Sequence, residues 1–79
     1  MRITIASLKG IQFEGEGASL NVKTASGEIT VLDNHRPLLT LLKPGPVIIR
    51  NQDGTRRELE ICGGFLEVGL KNELYLLAD

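Results

Sequence analysis

Along this chain, apolar and polar residues alternate over short stretches, the two-residue period of strands with one face buried. Ile3 and Ile5 alternate with Arg2 and Thr4, Leu20 and Val22 with Asn21 and Lys23, and Ile29 and Val31 with Glu28 and Thr30. In Thr55–Ile61, Leu59 and Ile61 share one side while Arg56, Glu58 and Glu60 take the other. Leu74 and Leu76 repeat the pattern near the C-terminal end, and the intervening Tyr75 and Leu77 predict a last strand covered on both sides.

Turn residues fall between these runs. Ser26-Gly27 and Asp33-Asn34 mark turns, and Lys43-Pro44-Gly45-Pro46 is a rigid break. Asn51-Gln52-Asp53-Gly54 separates two strand-like runs with an Asp-Gly pair, a hairpin signal, and Lys71-Asn72 predicts another. Pro46 has no N–H to give to a ladder, which places it at a strand edge or start. The run Leu38-Leu39-Thr40-Leu41-Leu42 between Pro37 and Pro44 is too short for a stable helix and reads as a buried strand. About nine or ten strands of roughly four to seven residues follow, and burying their apolar sides calls for two antiparallel sheets face to face. The expected fold is an all-β sandwich.

Composition narrows the function classes. The 79 residues carry 9 Lys+Arg against 10 Asp+Glu, a net charge of −1, so no broad positive field exists to hold nucleic acid or an anionic membrane. One cysteine cannot form an internal disulfide, which fits a reducing compartment. Only 3 aromatic residues are present (1 Tyr, 2 Phe), so Leu, Ile and Val must build the core. No apolar run approaches the ~20 residues of a membrane-spanning helix, and Ile3–Leu8 is too short for a signal-peptide core. The expectation is one soluble intracellular domain over residues 1–79 that leans on a partner.

Candidate chemistry is sparse. His35, the one histidine, follows Asp33-Asn34, but no Ser or Cys is tied to it by a recognisable motif. One His and one Cys give no metal-ligand spacing. Gly64-Phe65-Leu66-Glu67-Val68-Gly69-Leu70-Lys71 lacks the Gly-Lys-Ser/Thr ending of a phosphate loop; Gly63-Gly64 instead predicts a bulge or a close approach of strands. Cys62, with no adjacent Lys or Arg, reads as a small buried hydrophobe. Arg50, Arg56 and Arg57 surround the Asn51–Gly54 turn among acids, as on a solvated hairpin tip. The residues describe an interaction module and do not name its partner.

Two stretches carry a resemblance: Ser26–Gly45, reading SGEITVLDNHRPLLTLLKPG, and Cys62–Asp79, which opens CGGFLEV and closes LAD. They resemble the N-terminal β-sandwich domain of the epsilon subunit of F-type ATP synthases (delta in mitochondria). That family reads G-E-L-G-I-L-P-G-H-A-P-L-L-T-x-L-x-P-G, then S-G-G-F-L-E-V and V-L-A-D. Phe13-Glu14-Gly15 matches its early F-x-G, so the likeness runs in order from about Ile3 to Asp79.

The resemblance implies a ten-stranded sandwich at the foot of the rotor, gripping the gamma subunit and resting on the c ring, in a complex coupling proton or sodium-ion flow to ATP synthesis. It implies a subunit that catalyses nothing, needs no cofactor or metal, does not insert into the membrane, and sits peripherally on its cytoplasmic face in bacteria or its matrix or stroma side in organelles. Glu28 matches the family's acidic position near the polar loops of the c ring. Ser7, His35, Thr40, Cys62, Glu67 and Tyr75 match positions on or near the gamma-facing side.

The chain departs from the family pattern in places. Thr30 replaces Gly, Asp33-Asn34 replaces Pro-Gly, Arg36 replaces a small residue, Cys62 stands where Ser is common, and the hairpin at Lys71 is one residue longer. The family's two-helix C-terminal domain, which inhibits ATP hydrolysis, has no match up to Asp79, so inhibition is not carried over. Two other readings stay open: a free-standing β-sandwich adaptor in another assembly, and a small jelly-roll enzyme, for which convergent histidines and carboxylates are lacking.

Overall fold

In the computed structural model, which describes residues 1–79, every regular element is a strand. In chain order these are β1 (Arg2–Ser7), β2 (Gly10–Glu16), β3 (Ser19–Thr24), β4 (Gly27–Leu32), β5 (Leu38–Leu42), β6 (Gly45–Arg50), β7 (Arg56–Ile61), β8 (Gly64–Val68) and β9 (Glu73–Ala78). Nine strands realise the lower of the two expected counts, and Leu38–Leu42 is a strand as its length requires.

The strands form one hydrogen-bonded path, β2-β1-β9-β8-β5-β3-β6-β7, with β4 paired to β3. All neighbours are antiparallel except β1 and β9, which run parallel with Ile3 opposite Leu74 and Ile5 opposite Leu76. The path narrows to a single pair, Thr24 opposite Leu42, between β3 and β5. Just beyond it the chain turns the corner at Lys43-Pro44, where the Lys43 N–H donates to the Lys23 carbonyl at 2.9 Å. The sheet curls there into two layers, β2-β1-β9-β8-β5 and β4-β3-β6-β7.

Alternation decides which side of each layer is inside. Ile3, Ile5, Leu42, Leu66, Val68, Leu74 and Leu76 from the first layer meet Leu20, Val22, Val31, Val47 and Ile49 from the second in one core. Leu59 and Ile61 pack against it from β7. Pro46 pairs only with Glu60 of β7, while β3 takes up β6 from Ile48 onward, so no ladder needs its missing N–H.

Glycines let backbones meet where a Cβ would not fit. Gly64 has φ 143°, and a Cβ there would lie 2.0 Å from the Leu77 carbonyl oxygen. Gly17 has its missing Cβ aimed at Ile3 and Ile49, one from each layer. The expected close approach at Gly63-Gly64 is therefore real: β8 begins against the backbone of β9.

Three expectations require correction. Leu38–Leu42 is not a buried strand: Leu39 and Leu41, on its outer side, are 71% and 56% exposed. β9 is buried on one side only: Tyr75 and Leu77 are 43% and 59% exposed because no segment of this chain crosses the outer side of the first layer. Cys62 is exposed in the turn between β7 and β8, since the buried positions there go to the glycine contacts.

Candidate interaction face

Strand direction sorts the turns into two ends. One end carries the Ser7–Gly10 and Thr24–Gly27 turns, the Lys43-Pro44 corner and the Cys62-Gly63 link. The other carries Met1, the Leu32–Leu38 connection, the Asn51–Thr55 loop and the Gly69–Glu73 turn.

At the first end, Thr24 is buried, and its hydroxyl donates to the Gly27 carbonyl at 2.7 Å while accepting the Ser26 N–H at 3.1 Å. This small network fixes the turn that precedes Glu28. Glu28 stands exposed on β4, opposite Lys23 across the ladder. Thr30, two residues on, accepts a 2.8 Å hydrogen bond from the Asn21 amide, a cross-strand contact that glycine would lack.

At the other end, Asp33 accepts a 2.6 Å hydrogen bond from the Met1 ammonium and a 3.3 Å bond from the Asn72 amide, which together hold its carboxyl below the usual carboxylate range. The Asn34 N–H donates to Asn72 Oδ1 at 2.7 Å. Asn34 and Asn72 both have positive φ (59° and 58°), a conformation asparagine tolerates better than most residues. Asn34 thus keeps the left-handed backbone for which glycine would serve. Asp33 is committed to these partners and does not orient His35, whose Nδ1 instead contacts the Arg36 carbonyl at 2.7 Å.

The six residues matched to the gamma-facing positions all lie in, or directly lead into, the first layer: Ser7 on β1, His35 before β5, Thr40 on β5, Cys62 before β8, Glu67 on β8 and Tyr75 on β9. They do not share one surface. Glu67 and Tyr75 stand opposite each other on the outer side. Thr40 pairs with fully buried Leu66, and Ser7 has the parity of buried Ile5, so both are turned toward the inside. His35 and Cys62 occupy opposite ends.

The outer side of the first layer holds what sequence reading missed as a site. The register lines up Leu41, Phe65, Leu77, Ala6 and Ile11 in one row across β5, β8, β9, β1 and β2. At the ~4.8 Å spacing of strands this row is about 19 Å long. Leu41, Phe65, Leu77 and Ile11 are each more than half exposed. The adjacent row is Leu39, Glu67, Tyr75, Thr4 and Glu14, with Leu39 71% exposed. The Tyr75 hydroxyl donates to Glu73 Oε2 at 3.1 Å, and that carboxylate raises the phenol pKa above its ordinary value. Contiguous exposed apolar area of this kind marks a surface that meets something. The sequence signal for it was the two strands flanking β8, with Leu38–Leu42 and Leu74–Leu77 apolar on both sides.

Comparison with known proteins agrees with the resemblance. The family model for the ATP synthase Delta/Epsilon chain β-sandwich domain matches residues 1–79. The ATP synthase epsilon chains of Acinetobacter baylyi and Acinetobacter baumannii are 38% identical over 68 residues, covering 86% of this chain and 49% of theirs. The chain thus spans about half the length of the curated relatives it matches. Among solved structures, a chain of the Euglena gracilis mitochondrial ATP synthase superposes with TM-score 0.90 at 23% identity, over 96% of this chain and 48% of that one. A chain from the central stalk and c ring of Tetrahymena thermophila mitochondrial ATP synthase gives TM-score 0.84 at 19% identity, over 99% and 62%. The fold is shared with both, and by sequence the chain belongs to the family of ATP synthase delta/epsilon β-sandwich domains.

Proposed function

We propose that this chain is a non-catalytic central-stalk element of an F-type ATP synthase, joining the gamma subunit to the c ring and so coupling ion transport to ATP synthesis. The observation that carries the reading is the exposed row Leu41–Phe65–Leu77–Ala6–Ile11, a flat apolar surface suited to a protein partner. Gamma covers this outer face, with Tyr75 and Glu67 in the adjacent row. The end bearing the braced Thr24–Gly27 turn and Glu28 meets the polar loops of the c ring.

In this arrangement the domain transmits torque as a rigid wedge. An interface of the standard ~800 Å² per partner exceeds what the two rows alone provide, so the neighbouring turns with His35 and Cys62 join its rim. The chain lies peripherally on the energy-coupling membrane through these partners. In this reading the β-sandwich stiffens the joint and takes no part in inhibiting hydrolysis.

Reconstituted vesicles test this. Adding the chain to a cognate complex depleted of it should restore ATP-driven ion uptake without imposing an extended inhibited state. Strong ATPase inhibition by the bare domain would refute this division of labour. Failure to improve coupling would point to an adaptor in another assembly.

A further inference from the structure

The outer side of the first layer is apolar toward one end and acidic toward the other. Beyond the apolar row lie Glu67 and Glu14, and in the next row Glu73 and Glu16, with Arg2 as the single base among these outward strand positions. Three of the four carboxylates are engaged within the chain. Glu14 pairs with Arg2 at 3.5 Å, Glu16 lies 3.8 Å from the Met1 ammonium, and Glu73 accepts the Tyr75 hydroxyl. Glu67 makes no hydrogen bond or ion pair with any group of the chain, and it sits between Leu39 and Tyr75 in its row with Phe65 two residues before it.

An exposed carboxylate in that position is content in water. A partner that covers the apolar row also covers Glu67, and a carboxylate removed from water without a compensating cation or proton opposes the contact. We infer that the gamma surface received by this face presents an apolar ridge bordered by a lysine or arginine placed against Glu67, which makes Glu67 a specificity-determining residue for the partner. The inference rests on the gamma reading above and assigns the chemistry of the contact. The same charge fixes the direction of docking. Reversing the partner along the strands would set its cation over the Leu41–Phe65–Leu77 row and leave Glu67 under the ridge.

Binding of the purified chain to the gamma subunit of the same organism, measured at low and high salt, tests it. With a partner cation, Glu67→Gln weakens binding by ~5–20-fold and flattens the salt dependence, and Glu67→Lys weakens it by ~100-fold or more. Glu60→Gln, on the outer side of the other layer, leaves both unchanged, and thermal midpoints confirm that the variants fold. If Glu67 is instead neutralised by a proton, Glu67→Gln binds as well as the parent or better, and the inference is overturned. Phe65→Ser separates the two levels of the argument. Its loss of binding beside a silent Glu67→Gln overturns the cation alone. Binding unaffected by Phe65→Ser moves the gamma contact off this face and overturns the inference, and no binding by the parent chain overturns the gamma reading itself.

Discussion

On the outer side of β4-β3-β6-β7, one row across the strands reads Thr30, Asn21, Ile48, Glu58. On the outer side of β2-β1-β9-β8-β5, the corresponding kind of row reads Ile11, Ala6, Leu77, Phe65, Leu41. Both layers bury the opposite side in the same core, so burial within the chain does not explain the contrast. The first row is satisfied by the chain itself: Asn21 donates to Thr30, and next along β7 Arg56 pairs with Glu58 at 2.7 Å. The second has nothing of the chain over it. Single exposed leucines are ordinary on protein surfaces, but five apolar residues in register are not. The lesson is that a sheet's outward residues report its neighbours, and only the first layer of this sandwich presents such an apolar row.

The most damaging way to break the comparison is from beneath. Gly64→Ala places a methyl group against the Leu77 carbonyl at a backbone angle that alanine resists. It should destabilise the domain by about 3 kcal/mol or more, lowering the thermal midpoint sharply and removing the apolar face with its layer. Phe65→Ser acts on the face alone. It should cost about 2 kcal/mol or more in gamma affinity if Phe65 is a central anchor, with the thermal midpoint preserved because the side chain is half exposed.

The polar layer responds differently. Thr24→Val removes the buried hydroxyl that serves both Gly27 and Ser26, and should cost about 1–2 kcal/mol of stability with no change in gamma affinity. The smallest effect belongs to Asp53 in the β6–β7 loop. Its carboxyl is held below the usual range first by the Thr55 N–H, at 2.9 Å, and then by the Thr55 hydroxyl. A lowered folded value means that this contribution is complete above the ordinary carboxylate range near ~3.9 and fades as pH falls through the folded value. The stability gap between the parent and Asp53→Ala should therefore close as the solution is acidified, measured by denaturant titration.

Much of this architecture was legible because alternation and turn chemistry agree. Ile3/Ile5, Leu20/Val22 and Leu74/Leu76 face the core as their spacing requires, and Asp53-Gly54 and Lys71-Asn72 lie in hairpin loops. Strand β2 was harder, for a physical reason. Its register with β1 shifts after Ile5, so Phe13 opposes Ile5 and faces in, while Ile11 opposes Ala6 and faces out. Two apolar residues spaced by two thus fall on opposite sides, and the bulge at Gln12 hides the strand from a period-two reading. The interaction face was illegible for another reason. A strand apolar on both sides looks the same whether its second cover comes from its own chain or from a partner, and within this chain nothing covers Tyr75 and Leu77.

The parallel pairing of β1 with β9 also governs when the domain can come into being. Arg2 waits for Glu73, and Ala6 for Leu77, so the layer cannot close until the last strand of the domain has left the ribosome. Contacts so distant along the chain slow folding and keep unfinished strands open to wrong pairings. During that interval the β1–β2 hairpin, with Ile3 and Ile5 still bare, is the nascent segment most in need of protection.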